Sequence, residues 1–134
     1  MLKVLIVEDN PMVVTLFRVL VRKTDMNAET SEVHSVEKAL VLLAGIKYDL
    51  IFLDHELPDG DGWEIAEMTS LEPEKFGKPK IIAMSGSASS ADVDTRKKNF
   101  SRFIGKPFSI EEILPLIREA YEAKREISWE MHVA

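Results

Sequence analysis

Cysteine is absent from this chain of 134 residues, which removes disulfides, thiolate metal sites and cysteine nucleophiles together. No apolar run approaches the roughly 20 residues that a membrane-spanning helix needs. The opening "MLKVLIVEDN" holds one lysine and a short apolar stretch but no small-residue cleavage site. It reads as a strand, with Met1 as a natural start, and not as a secretory signal. Basic residues are in deficit, 17 against 23 acidic ones, for a net charge of −6. Two short basic clusters, "KPK" at Lys78 to Lys80 and "RKK" at Arg96 to Lys98, lack interleaved aromatics. A chain of this charge repels nucleic acid, so direct nucleic-acid binding is not expected, nor is membrane association. A cytoplasmic location fits these absences.

What is present is a regular alternation. With 46% hydrophobic and 30% charged residues, the composition suits one globular domain with a single core. "KVLIV" (3–7) is a β-branched apolar run that closes on Glu8 and Asp9. "NPMVVTLFRVLVRK" follows, with Asn10 set to cap a helix and Pro11 to open its first turn. "NAETSEV" (27–33) alternates weakly and predicts a more exposed strand, and "SVEKALVLLAG" predicts a helix stopping at Gly45. "YDLIFLD" (48–54) is a second buried strand, and "GWEIAEMTSL" predicts a short helix halted by Pro73. "PKIIAMSG" (79–86) is a third buried strand. "SSADVDTRKKN" predicts a polar, loosely held helix with Val93 almost its only large apolar residue. "SRFIGKPF" predicts a short strand turning at Pro107, and "SIEEILPLIREAYEAKRE" an amphipathic helix opened by a Ser109/Glu112 capping box. Strand then helix, five times over, with continuous apolar strands, predicts a doubly wound α/β fold: a five-stranded parallel sheet with helices on both faces. Residues 1–126 read as that one domain. The remainder, 127–134 ("ISWEMHVA"), reads as a tail or the start of a linker, with Trp129 extending the helix packing, anchoring a partner or belonging to the linker.

Ligands of such sheets bind at the carboxyl ends of the strands, near the point where the strand order reverses. The first strand ends on Glu8-Asp9, the third on Asp54, the fourth on Ser85, and the fifth runs into Lys106-Pro107. Three carboxylates converging on one edge would repel one another strongly. A hard divalent cation relieves that, and all-oxygen ligation suits Mg²⁺ better than zinc.

These residues carry a resemblance over residues 2 to 124. The acidic pair Glu8-Asp9, Asp54 with "DHELPDGDG" after it, Ser85 and "KPF" at Lys106 to Phe108 make the chain similar to the response-regulator (CheY-like) receiver domains of bacterial two-component signalling. The resemblance implies a flavodoxin-like (βα)₅ fold with strand order 2-1-3-4-5. It implies that Asp54 accepts a phosphoryl group from a histidine kinase or a histidine phosphotransfer protein in an Mg²⁺-dependent reaction. Asp9 and Asp54 would bind Mg²⁺ directly, Glu8 mainly through a water, and Glu56 through its backbone carbonyl. Lys106 would neutralise phosphoryl charge. Ser85 and Phe103 would form the switch, with a cis peptide at Lys106-Pro107. The Ser89–Lys124 face would contact a downstream protein, and phosphorylation would favour a dimer. On this reading the chain is a phosphoacceptor that assists only its own phosphorylation and dephosphorylation, not an enzyme with a turnover substrate. It could stand alone or be a receiver cut from a longer regulator or hybrid kinase.

Other readings compete for the same residues. The chain could be a phosphorylation-independent pseudo-receiver serving as a binding module. A phosphatase using Asp54 would need a second acidic group two residues on, where Glu56 is a poor stand-in. Ser85 could bond its own loop backbone, and Phe103 could be packed core. His55 reads as a solvated loop histidine, and His34 and His132 as surface residues. Asp59-Gly60-Asp61-Gly62 lacks the spaced ligands of a calcium loop and reads as a turn. "SGSASS" (85–90) follows the fourth strand rather than the first, which argues against a flavin phosphate cradle.

Overall fold

Each buried strand carries apolar residues on both faces, and the sheet uses both. In the computed structural model, which describes residues 1–24 and 27–133, with side chains as far as residue 126, Leu2, Val4 and Ile6 enter one apolar cluster and Leu5 and Val7 the other. The elements are β1 (Leu2–Val7), α1 (Pro11–Lys23), β2 (Ala28–Val33), α2 (Val36–Gly45), β3 (Leu50–Asp54), α3 (Glu64–Leu71), β4 (Lys80–Ser85), α4 (Ser90–Arg96), β5 (Arg102–Gly105) and α5 (Ile110–Val133). The five strands pair in parallel in the order β2-β1-β3-β4-β5, as expected. On one face α1 and α5 bury Phe17 and Ile117 against Phe52, with the Phe17 and Phe52 rings stacked 4.4 Å apart. On the other, α2 and α3 bury Leu43 and Ile65 against Ile51 and Leu53. Helix α4 buries no side chain; Val93 is half-buried beside the second cluster.

The helix starts follow the sequence signals. Asn10 Oδ1 accepts the Met12 N–H at 2.9 Å, and Ser35 Oγ accepts that of Lys38 at 3.2 Å. At α5 the Glu112 carboxylate accepts the Ser109 N–H at 3.1 Å. Helix α4 has a complete capping box, Ser89 with Asp92. Pro73 ends α3 but also opens a further helical turn, Pro73–Phe76, which buries Phe76. The backbone of α5 continues to Val133, past the boundary read at residue 126. The side chains of Trp129 and His132 lie outside the described residues.

Between β3 and α3 the chain makes a tight ribbon, Glu56–Leu57 against Gly60–Asp61, the turn expected there. Asp59 reaches across to cap α2, accepting the N–H groups of Val36 and Glu37 at 2.8 and 2.9 Å. Gly62 then folds back onto the end of β3, its N–H donating to the His55 carbonyl at 2.8 Å. A Cβ at Gly62 would lie 2.0 Å from the Asp54 carbonyl oxygen, so only glycine permits this approach.

Candidate functional site

Strands β1 and β3 are neighbours whose outgoing connections cover opposite faces of the sheet, so a crevice opens beyond their carboxyl ends. Glu8, just past β1, is wholly buried and Asp9 is exposed. Asp54 ends β3 and Ser85 ends β4, and both are buried. Lys106 enters from beyond β5, and the Lys106-Pro107 peptide is cis. These five residues line one cleft of about 420 Å³ together with Asn10, Glu56, Gly86 and Ser87. Phe103 stands apart on β5, part-exposed, its ring perpendicular to that of Trp63 at 5.9 Å.

Lys106 is the hub of the cleft. Its Nζ lies 2.7 Å from Glu8 Oε2 and 3.1 Å from Asp54 Oδ1. The backbone adds donors: the Asn10 N–H bonds Glu8 at 3.1 Å and the His55 N–H bonds Asp54 at 3.0 Å. Burial pushes the Glu8 carboxyl above the ordinary range, against the pull of its Lys106 bond, and the charge of Asp54 adds to the push. Burial likewise pushes Asp54 up, with the charge of Asp9 adding to it and Lys106 opposing it. For Lys106 burial disfavours the charge, but the Glu8 bond and the Asp54 carboxylate outweigh it, so the ammonium is held above its usual value. The cleft therefore carries more negative charge than Lys106 alone satisfies. One oxygen from each of Glu8, Asp9 and Asp54 lies within 4.8 Å of the others, so the three can hold a metal ion. An all-oxygen set with two buried members fits Mg²⁺.

The remaining polar groups are tied to one another. Ser85 Oγ accepts the N–H groups of Ser87 and Ala88 at 3.1 and 2.9 Å, closing its own loop. The Ser87 hydroxyl donates to the Glu56 carboxylate beside the cleft. His34 is exposed, with Nδ1 3.0 Å from the Glu8 carbonyl oxygen. His55 corrects the sequence reading. It is not a solvated loop residue: its side chain is 18% exposed and its ring stacks on Trp63, with centroids 4.0 Å apart. The cause is the Gly62 turn, which brings Trp63 beside the end of β3. Trp63 went unremarked in the sequence because a tryptophan at a helix start has no distinguishing period. A large aromatic directly after a glycine-rich turn was the available clue.

A parallel α/β sheet with an acidic triad, a hydroxyl and a lysine at its carboxyl edge defines a class of signalling domain. The family described as response regulator receiver domain matches residues 4–118. The chemotaxis protein CheY of Listeria monocytogenes is 30% identical over 122 residues, covering 90% of this chain and 98% of that protein. The hybrid signal transduction histidine kinase L of Dictyostelium discoideum is 28% identical over 123 residues, 87% of this chain but 7% of that protein. The chain spans about half of a further relative, the sensory transduction protein LytT of Bacillus anthracis, 51% of its length at 29% identity. A CheY-like receiver domain from Methanospirillum hungatei superposes with a TM-score of 0.80 at 21% identity, over 94% of this chain and 98% of its own. The chain belongs to the response regulator receiver domain family of two-component signalling. Among the described residues no helix is long and apolar enough to cross a membrane.

Proposed function

We propose that this receiver is phosphorylated on Asp54. The observation that carries the proposal is the position of that carboxylate: buried at the closed end of an acidic cleft, with an ammonium 3.1 Å away. An Asp54 oxygen attacks the phosphorus of a phosphohistidine on a histidine kinase or phosphotransfer protein. The P–N bond breaks as the P–O bond forms, and the donor leaves as neutral imidazole keeping the proton already on its other ring nitrogen, so an acyl phosphate remains on this chain. The similarity to a hybrid histidine kinase supports that class of donor. Lys106, already bridging Glu8 and Asp54, faces the equatorial oxygens and offsets their charge. Glu8, Asp9 and Asp54, with the backbone carbonyl of Glu56, would hold Mg²⁺, which when bound supplies further neutralisation of phosphoryl charge. Ser85 turns its O–H toward a phosphoryl oxygen, and Phe103 moves as the Ser85 loop shifts. The face from Ser89 to Lys124 then carries the signal to a downstream protein or to a second copy of the chain. Glu56 and Ser87 stand at the cleft and control how water reaches the acyl phosphate. Because donor and product are not turned over on an external substrate, this is a phosphoacceptor and not an enzyme.

The test is the intact mass after incubation with a small acyl-phosphate donor, with Mg²⁺ and with chelator. One phosphoryl group is gained with Mg²⁺ and none with chelator. Asp54→Ala keeps the fold, as judged by circular dichroism, and gains nothing. Full labelling of that variant would overturn the assignment. No labelling of the wild type would move the chain to the phosphorylation-independent binding modules.

A further inference from the structure

The phosphoryl chemistry leaves one built cluster unused: His55, Asp61, Trp63 and Arg96, beside the acceptor strand. Asp61 closes it. Its Oδ1 accepts the Trp63 N–H at 2.9 Å and stands 3.6 Å from His55 Nε2, while Oδ2 accepts from Arg96 Nη1 at 2.6 Å. Trp63 is the platform. His55 stacks on it at 4.0 Å, the Arg96 guanidinium lies 5.4 Å from its ring, and Phe100 meets it edge-on at 4.8 Å. Trp63 is wholly buried, and its indole N–H has no partner among the described residues. The ring is thus held by these contacts and by packing.

His55 Nε2 is turned to Asp61, and Nδ1 faces the other way. What it faces is Ser85 Oγ, at 3.5 Å. That oxygen already accepts two backbone N–H groups, which leaves its own proton to donate. His55 Nδ1 is the acceptor in reach. We propose that His55 is a positioning residue for Ser85, holding the hydroxyl proton away from Asp54 at rest, and that its release is passed through Trp63 and Asp61 to Arg96 on helix α4. The proposal rests on the phosphoryl reading of Asp54. A neutral bond at 3.5 Å is weak, whereas a charged phosphoryl oxygen is a strong acceptor, so phosphorylation takes the hydroxyl from His55. Helix α4 buries no side chain, and Arg96 ties its last turn to Asp61 and Trp63 beside the packing of half-buried Val93. Movement of the His55–Trp63 stack therefore loosens or shifts α4 at that end.

The test uses the full chain with Trp129→Phe, so that Trp63 alone emits, titrated with beryllofluoride as the phosphoryl mimic in Mg²⁺. Wild-type emission changes and saturates as the stack moves. His55→Phe keeps an aromatic ring over Trp63 but offers no acceptor, and it tightens the midpoint about threefold, the scale of one weak neutral hydrogen bond. His55→Gln restores an acceptor and returns the midpoint toward wild type. A purely structural role would weaken binding in both variants. Arg96→Ala abolishes the change in amide exchange of Ser90 to Arg96. A midpoint for His55→Phe equal to or weaker than wild type, or an α4 response unchanged in Arg96→Ala, overturns the proposal. If the wild type takes no phosphoryl group from an acyl-phosphate donor, the Asp54 reading fails. If it labels on Asp54 while Trp63 emission stays fixed, the relay fails alone.

Discussion

Asp54 puts a charge where its strand is otherwise wholly apolar, and Lys106 is what makes that tolerable. The fold spends stability on the site. Burial raises the Asp54 pKa, so the folded state binds the proton more tightly than the unfolded chain does. Stability therefore falls as pH rises through the window between the unfolded value, about 3.9, and the higher folded one; the cost is fully present above both. Asp54→Asn removes it. In Mg²⁺-free buffer at pH 7 that variant should melt higher than wild type. The gap should close once the pH lies below the unfolded value. Thermal melts across pH check both parts. Lys106→Ala goes the other way, leaving two buried carboxylates without their counter-charge. Its expected cost is about 1–3 kcal/mol. Mg²⁺ should recover part of that loss in denaturant melts, since the carboxylate set remains. The same variant should bind Mg²⁺ yet lose the conformational response to phosphorylation.

Single elements depend on their ends. Asn10→Ala removes the cap of α1 and should cost about 1 kcal/mol by urea titration. Gly62→Ala drives a Cβ into the Asp54 carbonyl, and relief requires the loop after β3 to move. A loss of about 1–3 kcal/mol is expected, together with weaker phosphoryl labelling because the acceptor strand end shifts. The elements themselves were legible in the sequence wherever a local signal existed: Asn10 before Pro11, apolar runs for β1, β3 and β4, and Ser109 with Glu112. What was not legible depends on residues far apart in the chain. Asp59 capping α2 spans 23 positions, and Ser85 reaching His55 spans 30. No periodicity encodes such contacts. His55 was misread for that reason: its neighbours in sequence are polar loop residues, and its partner in space is a buried tryptophan. The five residues of the cleft were legible because each ends a strand or follows one within two residues, and parallel order brings those ends together.

At the scale of the whole molecule the end of the sheet away from the cleft is tied to the last helix. Away from the cleft, Lys124 of α5 bonds Asp49 at 2.8 Å and also the Met1 carbonyl, while Asp49 accepts the Lys3 N–H at 2.8 Å. The last helix is thereby fastened to the first strand. Phe17, Phe52 and Phe108 fill the core on that face, and Phe17→Ala should cost about 3–5 kcal/mol as a cooperative loss seen by calorimetry. The helix that holds on least is α4, with no buried side chain. That has a consequence for inheritance. A core residue can change only if its neighbours change with it, but the outward residues of α4 have no such neighbours to repack. On the proposed output reading, partner choice carried by that surface can be rewritten one substitution at a time while the acidic cleft stays as it is. Duplicated copies of such a domain can keep one chemistry and diverge in the proteins they address.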